Sequence, residues 1–352
     1  MGILPSLKIK NLVIPHCIIQ GGMGAGVSGT RLVREVSYHG GLGTLSSAGM
    51  RDLLSLRNNK PYTTYEAVRE EIEIAMTGGL RAAINIMRIL DESYDETVQA
   101  AVDAKVSAII FGAGLPKQVP DSDDTAYILM ASSARTLRIM LNRWRRRPDA
   151  VIVEGPRAGG HLGFKFEDIE KPEFALENLL PEILELAGKN GNIPVIAAGG
   201  IYTHEDIERF LSLGVSGVQI ATRFLATWES DATDEFKRQI VAATENDIKV
   251  INGSPCDFPF RILTSSPMYL TKRAPKCRMG YVLGKDENGH YTVCKAAPNN
   301  PHHEDYFCIC DGLRAAIGMA PNEPAMYTVG TNAFRVDRIR SVAELMKELV
   351  GN

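Results

Sequence analysis

Short apolar runs alternate with longer amphipathic stretches from residue 12 to about residue 250. Each run is nearly continuous in Val, Ile, Leu and Ala, which is typical of a parallel strand covered on both faces. The stretches between the runs are long enough for helices, so the chain reads as repeated strand and helix units. The predicted strands span residues 12–20, 41–47, 81–87, 106–112, 126–132, 149–155, 193–199 and 215–221.

Helix start signals support this interpretation. A hydroxyl residue three positions before a carboxylate is the spacing of a capping box, in which each side chain bonds the other residue's main-chain N–H. Three such pairs precede or open predicted helices: Thr63 with Glu66, Ser93 with Glu96, and Thr203 with Asp206.

The number of units decides the fold class. Eight repeats of roughly 30 residues amount to about 250 residues, the size of a closed (β/α)8 barrel, whereas a doubly wound sheet usually has fewer strands. The sequence therefore predicts an α/β protein with a TIM barrel over residues 1–250. Residues 251–352 are predicted to be an extension of the same unit. Its segment 253–310, rich in Cys, Pro and Gly, wraps or caps the barrel, and a helix ends the chain.

Composition excludes several classes of function. The 352 residues are 45% hydrophobic and 23% charged, with a formal net charge of −3. No basic field is available to attract nucleic acid or an anionic membrane surface, so neither is expected as a partner. No apolar run reaches the roughly 18 residues of a membrane span, and the first residues lack the apolar core of a signal peptide. A cytoplasmic protein is expected.

The cysteines and late histidines raise the question of a metal site. Six cysteines are too few for a disulfide scaffold of this length. The cysteines and histidines in the C-terminal third lack the paired C-x2-C spacing that indicates zinc sites or iron–sulfur clusters, so no metal is predicted. The residues concerned are Cys256, Cys277, Cys294, Cys308, Cys310, His290, His302 and His303.

Glycines gather where the strands end, which is where barrel enzymes build their active sites. Glycine-rich loops follow the first, sixth and seventh strands, and Ala221-Thr222-Arg223 follows the eighth. A single Gly-Gly pair can be an ordinary tight turn. Several such loops on one rim favour close approach of main-chain N–H groups to a ligand, and the last two loops form the usual barrel phosphate site. A phosphorylated cofactor is predicted.

His161 lies inside the glycine-rich segment after the sixth strand. Its imidazole could transfer a proton near neutral pH, or it could simply hydrogen-bond a loop carbonyl. Asn85, in the third strand, could contact a cofactor edge or serve as a turn residue. Ser132 and Ser133 could contact a ligand, but a helix cap is the favoured interpretation.

Four motifs in order resemble the nitronate monooxygenase family, formerly called 2-nitropropane dioxygenases, which includes the flavin-type enoyl-acyl-carrier-protein reductases. The resemblance covers about residues 10–228, and the Cys-rich segment lies outside the shared pattern. The motifs are QGGMG (20–24), EGPRAGGHLG (154–163), IPVIAAGGI (193–201) and GVQIATRFLAT (217–227).

The resemblance implies a TIM barrel that binds FMN non-covalently. Gly22 and Met23 would lie against the flavin ring, and Asn85 and Gln219 would contact its polar parts. Gly199, Gly200 and Thr222 would hold the phosphate, and His161 matches the active-site histidine of the family. The resemblance also assigns these residues to the cofactor site: Glu154, Ala158, Gly159, Gly160 and Ala221.

Two activities follow from the resemblance. A monooxygenase would oxidise nitronates or nitroalkanes with O2 to carbonyl compounds and nitrite, with His161 removing the α-proton of a neutral nitroalkane. A reductase would take hydride from NAD(P)H through FMN to an enoyl thioester. A non-catalytic flavin- or phosphate-binding module would keep the phosphate loops but would not need His161. The monooxygenase is favoured, and the oligomeric state is left open.

Overall fold

The computed structural model describes residues 4–88, 91–144, 146–252, 258–271, 274–276, 281–285, 291–295 and 306–351. Eight parallel strands form the central sheet, and the chain enters them after a small antiparallel hairpin. The strands of this part are β1 (Leu7–Ile9), β2 (Leu12–Ile14), β3 (Ile18–Gln20), β4 (Gly43–Ser46), β5 (Ala82–Met87), β6 (Ala108–Gly112), β7 (Ala126–Ala131), β8 (Ala150–Glu154), β9 (Gly160–His161), β10 (Val195–Ala198) and β11 (Gly217–Ile220).

The central sheet closes on itself. Its order is β3-β11-β10-β8-β7-β6-β5-β4, with every neighbouring pair parallel. Leu42, just before β4, completes the circle: it donates from its N–H to the Ile18 carbonyl over 3.0 Å and accepts from the Gln20 N–H over 2.9 Å. The strand residues are almost all buried, as the continuous apolar runs predict. The predicted TIM barrel is confirmed.

The first predicted strand is wrong in its extent. Residues 12–20 form two strands rather than one, because Pro15 has no N–H to donate and interrupts the ladder. β2 pairs with β1 in the hairpin, and only β3 joins the barrel. His16 therefore lies between two strands rather than inside one.

Helices follow most of the barrel strands, and two of the predicted capping boxes are present, at Thr63 with Glu66 and at Thr203 with Asp206. The third is wrong, because its helix already begins at Asp91 and Ser93 lies inside the first turn. The helices are α1 (Thr30–Tyr38), α2 (Met50–Arg57), α3 (Thr64–Met76), α4 (Asp91–Asp103), α5 (Ala134–Arg143), α6 (Leu176–Lys189), α7 (His204–Ser212), α8 (Thr222–Leu225), α9 (Asp234–Ala242), α10 (Pro267–Thr271), α11 (Ile309–Ala315) and α12 (Val342–Leu349).

The C-terminal part of the chain packs on the barrel mouth and side. Strand β13 pairs with β12 and with β9, so it joins the extension to the loop after β8. Helix α12 packs against α1, α7 and α8 on the outside of the barrel. Its apolar face, including Leu345 and Leu349, belongs to the main core. The strands of this part are β12 (Ile248–Ile251), β13 (Phe260–Leu263), β14 (Ala274–Lys276), β15 (Tyr281–Lys285), β16 (Tyr291–Lys295) and β17 (Tyr306–Cys308).

Among the described residues, none of the helices combines the length and the apolar character that crossing a bilayer requires.

Candidate active site

The carboxyl ends of the barrel strands open into a cavity of about 1180 Å3. Loops after the strands form most of its wall, and C-terminal residues complete it. The structure brings every residue that the sequence singles out for catalysis or cofactor binding to this cavity wall: Gly22, Met23, Asn85, Glu154, Ala158, Gly159, Gly160, His161, Gly199, Gly200, Gln219, Ala221 and Thr222.

The loop after β3 is held from below by a buried glutamine. Gln20 accepts at Oε1 from the Thr44 N–H over 2.9 Å and donates from Nε2 to Ser28 Oγ over 2.9 Å. Ser28 Oγ also accepts from the Met23 N–H over 2.9 Å. These bonds satisfy the buried polar groups and fix the main chain of the loop that carries Gly22 and Met23 at the cavity wall.

Gly22 lies close against Asn85, the sequence-predicted residue of β5. A Cβ at Gly22 would come within 2.8 Å of the Asn85 Cβ, which is closer than real side chains approach. A residue larger than glycine would therefore displace the amide of Asn85 from its place at the rim. The two predicted cofactor residues are packed as one unit.

His161 lies on the cavity wall in the short strand β9. Its ring centroid is 5.6 Å from that of Phe260, the residue opposite it in β13. Although its edge reaches the cavity, the ring lies deep in the protein, and burial lowers the pKa of His161 from 6.5 to about 4. The imidazole is consequently neutral at physiological pH and able to accept a proton.

Gly160 leaves open space beside the histidine. It has a positive φ of +72°, and a Cβ built there would meet no atom within 4 Å. The absence of a side chain thus clears room in the cavity and permits a left-handed backbone that other residues rarely adopt. Gly159, by contrast, is packed tightly against the main chain of Val329 and Gly330.

Glu154 ends β8 and faces the same cavity. Burial raises the pKa of its carboxyl from 4.5 to about 7. Neutral and ionised forms are then both populated near neutral pH, because the protein interior disfavours the charge. The cavity therefore contains one imidazole kept neutral and one carboxyl that titrates near pH 7.

The loop after β10 takes its shape from two glycines with positive φ, Gly199 at +96° and Gly200 at +82°. A Cβ at Gly199 would meet the Gly155 carbonyl oxygen at 2.9 Å, and one at Gly200 would meet the Arg157 Cβ at 2.9 Å. Both conformation and space therefore require glycine at these two positions.

The end of β11 supplies an amide and a hydroxyl. Gln219 is 7% exposed, and its buried Oε1 has no hydrogen-bond partner in the described part of the chain. Thr222, just beyond Ala221, accepts at Oγ1 from the Gly330 N–H over 2.9 Å. An acceptor without a partner on a cavity wall is available to a donor from a bound group or from water.

Residues 328–332 were not predicted to belong to the site, yet they line it. Asn332 donates from Nδ2 to the Gly200 carbonyl over 2.6 Å, and the Thr331 N–H donates to the Arg157 carbonyl over 3.2 Å. This segment therefore links the loops after β8, β10 and β11. The only local signal is weak: Gly330 lies next to Thr331 and Asn332, a combination typical of a turn.

A buried arginine braces the last two loops. Arg223 donates from Nη1 to the Tyr202 carbonyl over 2.9 Å and to Glu348 Oε1 over 2.7 Å. The Tyr202 ring lies between the guanidinium groups of Arg223 and Arg335, at 4.3 and 4.4 Å from its centroid. Helix α12, which carries Glu348, thus supports the rim from outside.

The serines after β7 divide between two roles. Ser133 caps α5, accepting at Oγ from the Thr136 N–H over 3.1 Å, as favoured from the sequence. Ser132 instead lines the cavity, so the cap interpretation is wrong for that residue. The side chain before a cap can face the strand ends because the chain turns there.

The late cysteines and histidines fall mostly outside the described residues. Cys310 lines the cavity, and Cys294 and Cys308 lie in β16 and β17. Within the described ranges, no three His, Cys, Asp or Glu side chains come together as a possible metal site. The remaining residues of that set lie outside the described ranges: Cys256, Cys277, His290, His302 and His303.

Comparisons with known proteins point to one family. The family model described as nitronate monooxygenase matches residues 5–352. A protein named probable nitronate monooxygenase from Bacillus subtilis (strain 168) is 28% identical over 264 residues, which cover 69% of this chain and 75% of the relative.

Two solved structures resemble the whole chain. FabK from Thermotoga maritima superposes with a TM-score of 0.69 at 25% identity, covering 96% of this chain and 92% of the other. A nitroalkane oxidase from Streptomyces ansochromogenes has the same fold, with a TM-score of 0.66 at 22% identity and coverage of 96% and 95%. The resemblance noted in the sequence is confirmed. The chain belongs to the nitronate monooxygenase family of flavin-dependent oxidoreductases.

Proposed function

We propose that the protein is an FMN-dependent oxidoreductase that oxidises alkyl nitronates and nitroalkanes with O2 to carbonyl compounds and nitrite. The observation that carries the proposal is that a neutral His161 shares one cavity with the glycine-lined loops after β3, β8 and β10. Membership of the family supports the reaction class. The substrate and the choice of FMN follow from the resemblance to the family, and the site is consistent with both.

The residues fit a flavin mononucleotide. Gly200 lines the cavity with a positive φ, and the main-chain N–H groups of such a glycine loop can bind a phosphate. The Thr222 hydroxyl accepts from Gly330, so its own hydrogen is left to donate to a phosphate oxygen. These groups, with Gly199 and Ala221, would hold the phosphate.

The other end of the flavin would lie across the strand ends. Gln219 has a buried Oε1 in need of a donor, and an N–H on the polar edge of a flavin ring would meet that need. Asn85 offers both a donor and an acceptor. Main-chain atoms of Gly22 and Met23 would support one ring face. The remaining predicted residues would border the cofactor: Glu154, Ala158, Gly159 and Gly160.

When bound, FMN supplies the electron transfer of the reaction. The contribution of the protein is then positioning, desolvation and proton transfer. One nitrogen of the His161 imidazole accepts the proton from the carbon next to the nitro group of a neutral nitroalkane. A nitronate has already lost that proton and does not need the base. The apolar side chains of Met130, Leu115 and Phe260 on the cavity wall would limit the access of water to the substrate.

The decisive experiment follows the visible band of the flavin-loaded protein without oxygen. We expect bleaching on addition of ethyl nitronate and none on addition of NADPH or NADH. Rapid bleaching by a reduced nicotinamide would overturn the proposal in favour of an NAD(P)H-dependent enoyl reductase. Bleaching by none of the three would indicate another flavin oxidoreductase or a binding protein.

The role of His161 needs a separate test. His161→Ala should retain flavin, since no predicted cofactor contact depends on the imidazole, and should still oxidise pre-formed nitronate. Its turnover of neutral nitroalkane should fall by about 100-fold or more. Loss of flavin in this variant would make His161 a structural residue instead.

A further inference from the structure

Arg261 is a buried cation whose guanidinium donates hydrogen bonds to the loop that carries His161. It lies in β13, where it faces Gly160 while its neighbour Phe260 faces His161. The residue is only 2% exposed. A guanidinium so deep in the protein is unfavourable unless hydrogen bonds satisfy it.

The bonds of this guanidinium are to main-chain carbonyls. Nη1 donates to the Pro156 carbonyl over 2.7 Å and to the Ala158 carbonyl over 2.5 Å. Both carbonyls belong to the segment that runs from the end of β8 to His161. Burial lowers the pKa of Arg261 to about 10, which still leaves it fully charged, and therefore a donor, at neutral pH.

A carboxylate does not account for the burial of this charge. Glu170 Oε1 is 3.9 Å from Nη2, and the Glu170 side chain is 90% exposed. An ion pair that is long and exposed on one side contributes little, because water screens it. The two loop carbonyls are therefore the groups that hold the guanidinium in place, and the guanidinium holds them.

The loop needs such an external restraint. Gly159 and Gly160 lack side chains, and Gly160 has a positive φ, so the segment has more conformational freedom than ordinary residues would allow. One further contact comes from the same direction: the Leu162 N–H donates to the Pro259 carbonyl over 2.8 Å. Residues 259–261, about 100 positions away along the chain, therefore restrain the loop on both sides of His161, and Thr331 adds a bond to the Arg157 carbonyl.

We propose that Arg261 is a positioning residue, which holds the 156–161 loop so that the His161 imidazole lines the cavity in a fixed orientation. It acts through His161 and does not touch substrate. The expected kinetic effects rest on the proposed role of His161 in proton transfer. The expected change in the pKa of His161 does not depend on that role.

The structural test is the titration of His161 in flavin-loaded protein, followed by NMR of histidine ring nitrogens and assigned with His161→Ala. In the native protein His161 should titrate near pH 4 because it is buried. Arg261→Met should free the loop and move the titration toward 6.5. Arg261→Lys keeps a charged donor, so the pKa of His161 in that variant should lie between the values in the native protein and in Arg261→Met. An unchanged titration in Arg261→Met would overturn the proposal whatever reaction the enzyme catalyses.

The kinetic test compares two substrates. In Arg261→Met, kcat for neutral nitroalkane should fall on the order of 10- to 100-fold with KM little changed, while pre-formed nitronate is affected much less. In a His161→Ala background the same substitution should cause no further loss on nitroalkane. An equal further loss in that background would show a merely structural role. Normal nitroalkane turnover by His161→Ala alone would instead contradict the proposed function.

Two matched variants complete the design. Arg146→Met removes a mostly buried arginine that pairs with Asp149 before β8, away from the cavity, and should not move the His161 titration. Glu170→Gln should also leave it unchanged, because the proposal assigns the restraint to the carbonyls. A shift in Glu170→Gln as large as in Arg261→Met would overturn that assignment. If Arg261→Met does not fold, Arg261→Lys still decides the question by its titration.

Discussion

The hydroxyl oxygen of Thr222 accepts a hydrogen bond from the main-chain N–H of Gly330 over 2.9 Å, across 108 positions of sequence. One residue begins the helix after the last barrel strand, and the other lies near the end of the chain. The bond directs the hydroxyl, because the oxygen is already an acceptor and its hydrogen must point elsewhere. The same side chain therefore satisfies a buried N–H and carries the hydroxyl that we propose binds the cofactor phosphate.

Thr222→Val should weaken FMN binding. The substitution keeps the shape but leaves the buried Gly330 N–H without its acceptor and removes the proposed donor to phosphate, at about 1–3 kcal/mol. Titration of the apoprotein with FMN, followed by flavin fluorescence, should show Kd raised by roughly 10-fold or more. Thr222→Ser retains the hydroxyl and should bind nearly as the native protein does. Equal affinity of the Val and Ser variants would remove Thr222 from the cofactor site.

Gly200→Ala should give protein that retains little flavin. The added Cβ enters a position with φ +82° and meets the Arg157 Cβ at 2.9 Å. Gly78→Ala is a matched control, since Gly78 has φ +80° but open space around it. Both variants should lose about 1 kcal/mol of stability from the strained backbone. Only Gly200→Ala should show a lowered ratio of flavin absorbance to protein absorbance. Similar ratios in the two variants would contradict the proposal that Gly200 belongs to the phosphate site.

The rate of nitroalkane oxidation should not follow an ordinary histidine titration. Burial lowers the pKa of His161 to about 4, so the base remains available well below pH 6.5. We expect kcat/KM for freshly dissolved neutral nitroethane to show no acid limb between about pH 5.5 and 7. The Glu154→Gln variant, measured in parallel, removes the other cavity group with a shifted pKa. An acid limb centred near 6.5 in that variant would indicate that His161 is not buried in the working enzyme.

Glu154 should make the fold less stable as the pH rises. Its pKa is raised in the folded protein from 4.5 to about 7, so its stabilising contribution is full below pH 4.5 and is lost as the pH rises through 7. Glu154→Gln is neutral throughout and should be more stable than the native protein at pH 8, by about 1–3 kcal/mol. Thermal unfolding of the flavin-loaded proteins between pH 5 and 8 tests this expectation.

A surface carboxylate provides the comparison. Glu182, whose side chain is 63% exposed and pairs with Arg138 at the surface, is suitable because an exposed ion pair contributes little to stability. Glu182→Gln should give a Tm that runs parallel to that of the native protein across the same pH range. Parallel curves for Glu154→Gln as well would mean that the Glu154 carboxyl is well solvated in solution.

Local patterns were sufficient for the barrel and for the glycine-rich loops at its mouth, whereas most of the individual cofactor residues came from the family resemblance and remain predictions. Strands buried on both faces leave continuous apolar runs, and positions such as Gly199 need a positive φ that only glycine adopts easily. The extent of the first strand was wrong because Pro15 ends the ladder inside an apolar run. The division at residue 250 remains a prediction.

Long-range contacts were the part that the sequence did not reveal. From the sequence, Arg261 would be interpreted as a solvent-exposed cation within a short apolar run. It is buried because its guanidinium bonds the carbonyls of a loop about 100 residues earlier. Asn332 looks like a turn residue until the fold brings it to Gly200. The neutral state of His161 likewise follows from tertiary burial, which no spacing along the chain reports.

The late position of Arg261, Gly330 and Asn332 in the chain bears on the order of events during synthesis. A nascent polypeptide that has just completed β11 possesses all eight barrel strands, yet it lacks the residues that bond the loops after β8, β10 and β11. Ribosomes add roughly 5–20 residues per second, so these residues follow the last strand by several seconds. If these loops hold the cofactor as proposed, its firm retention is expected only after translation of the barrel, when the C-terminal segment has docked.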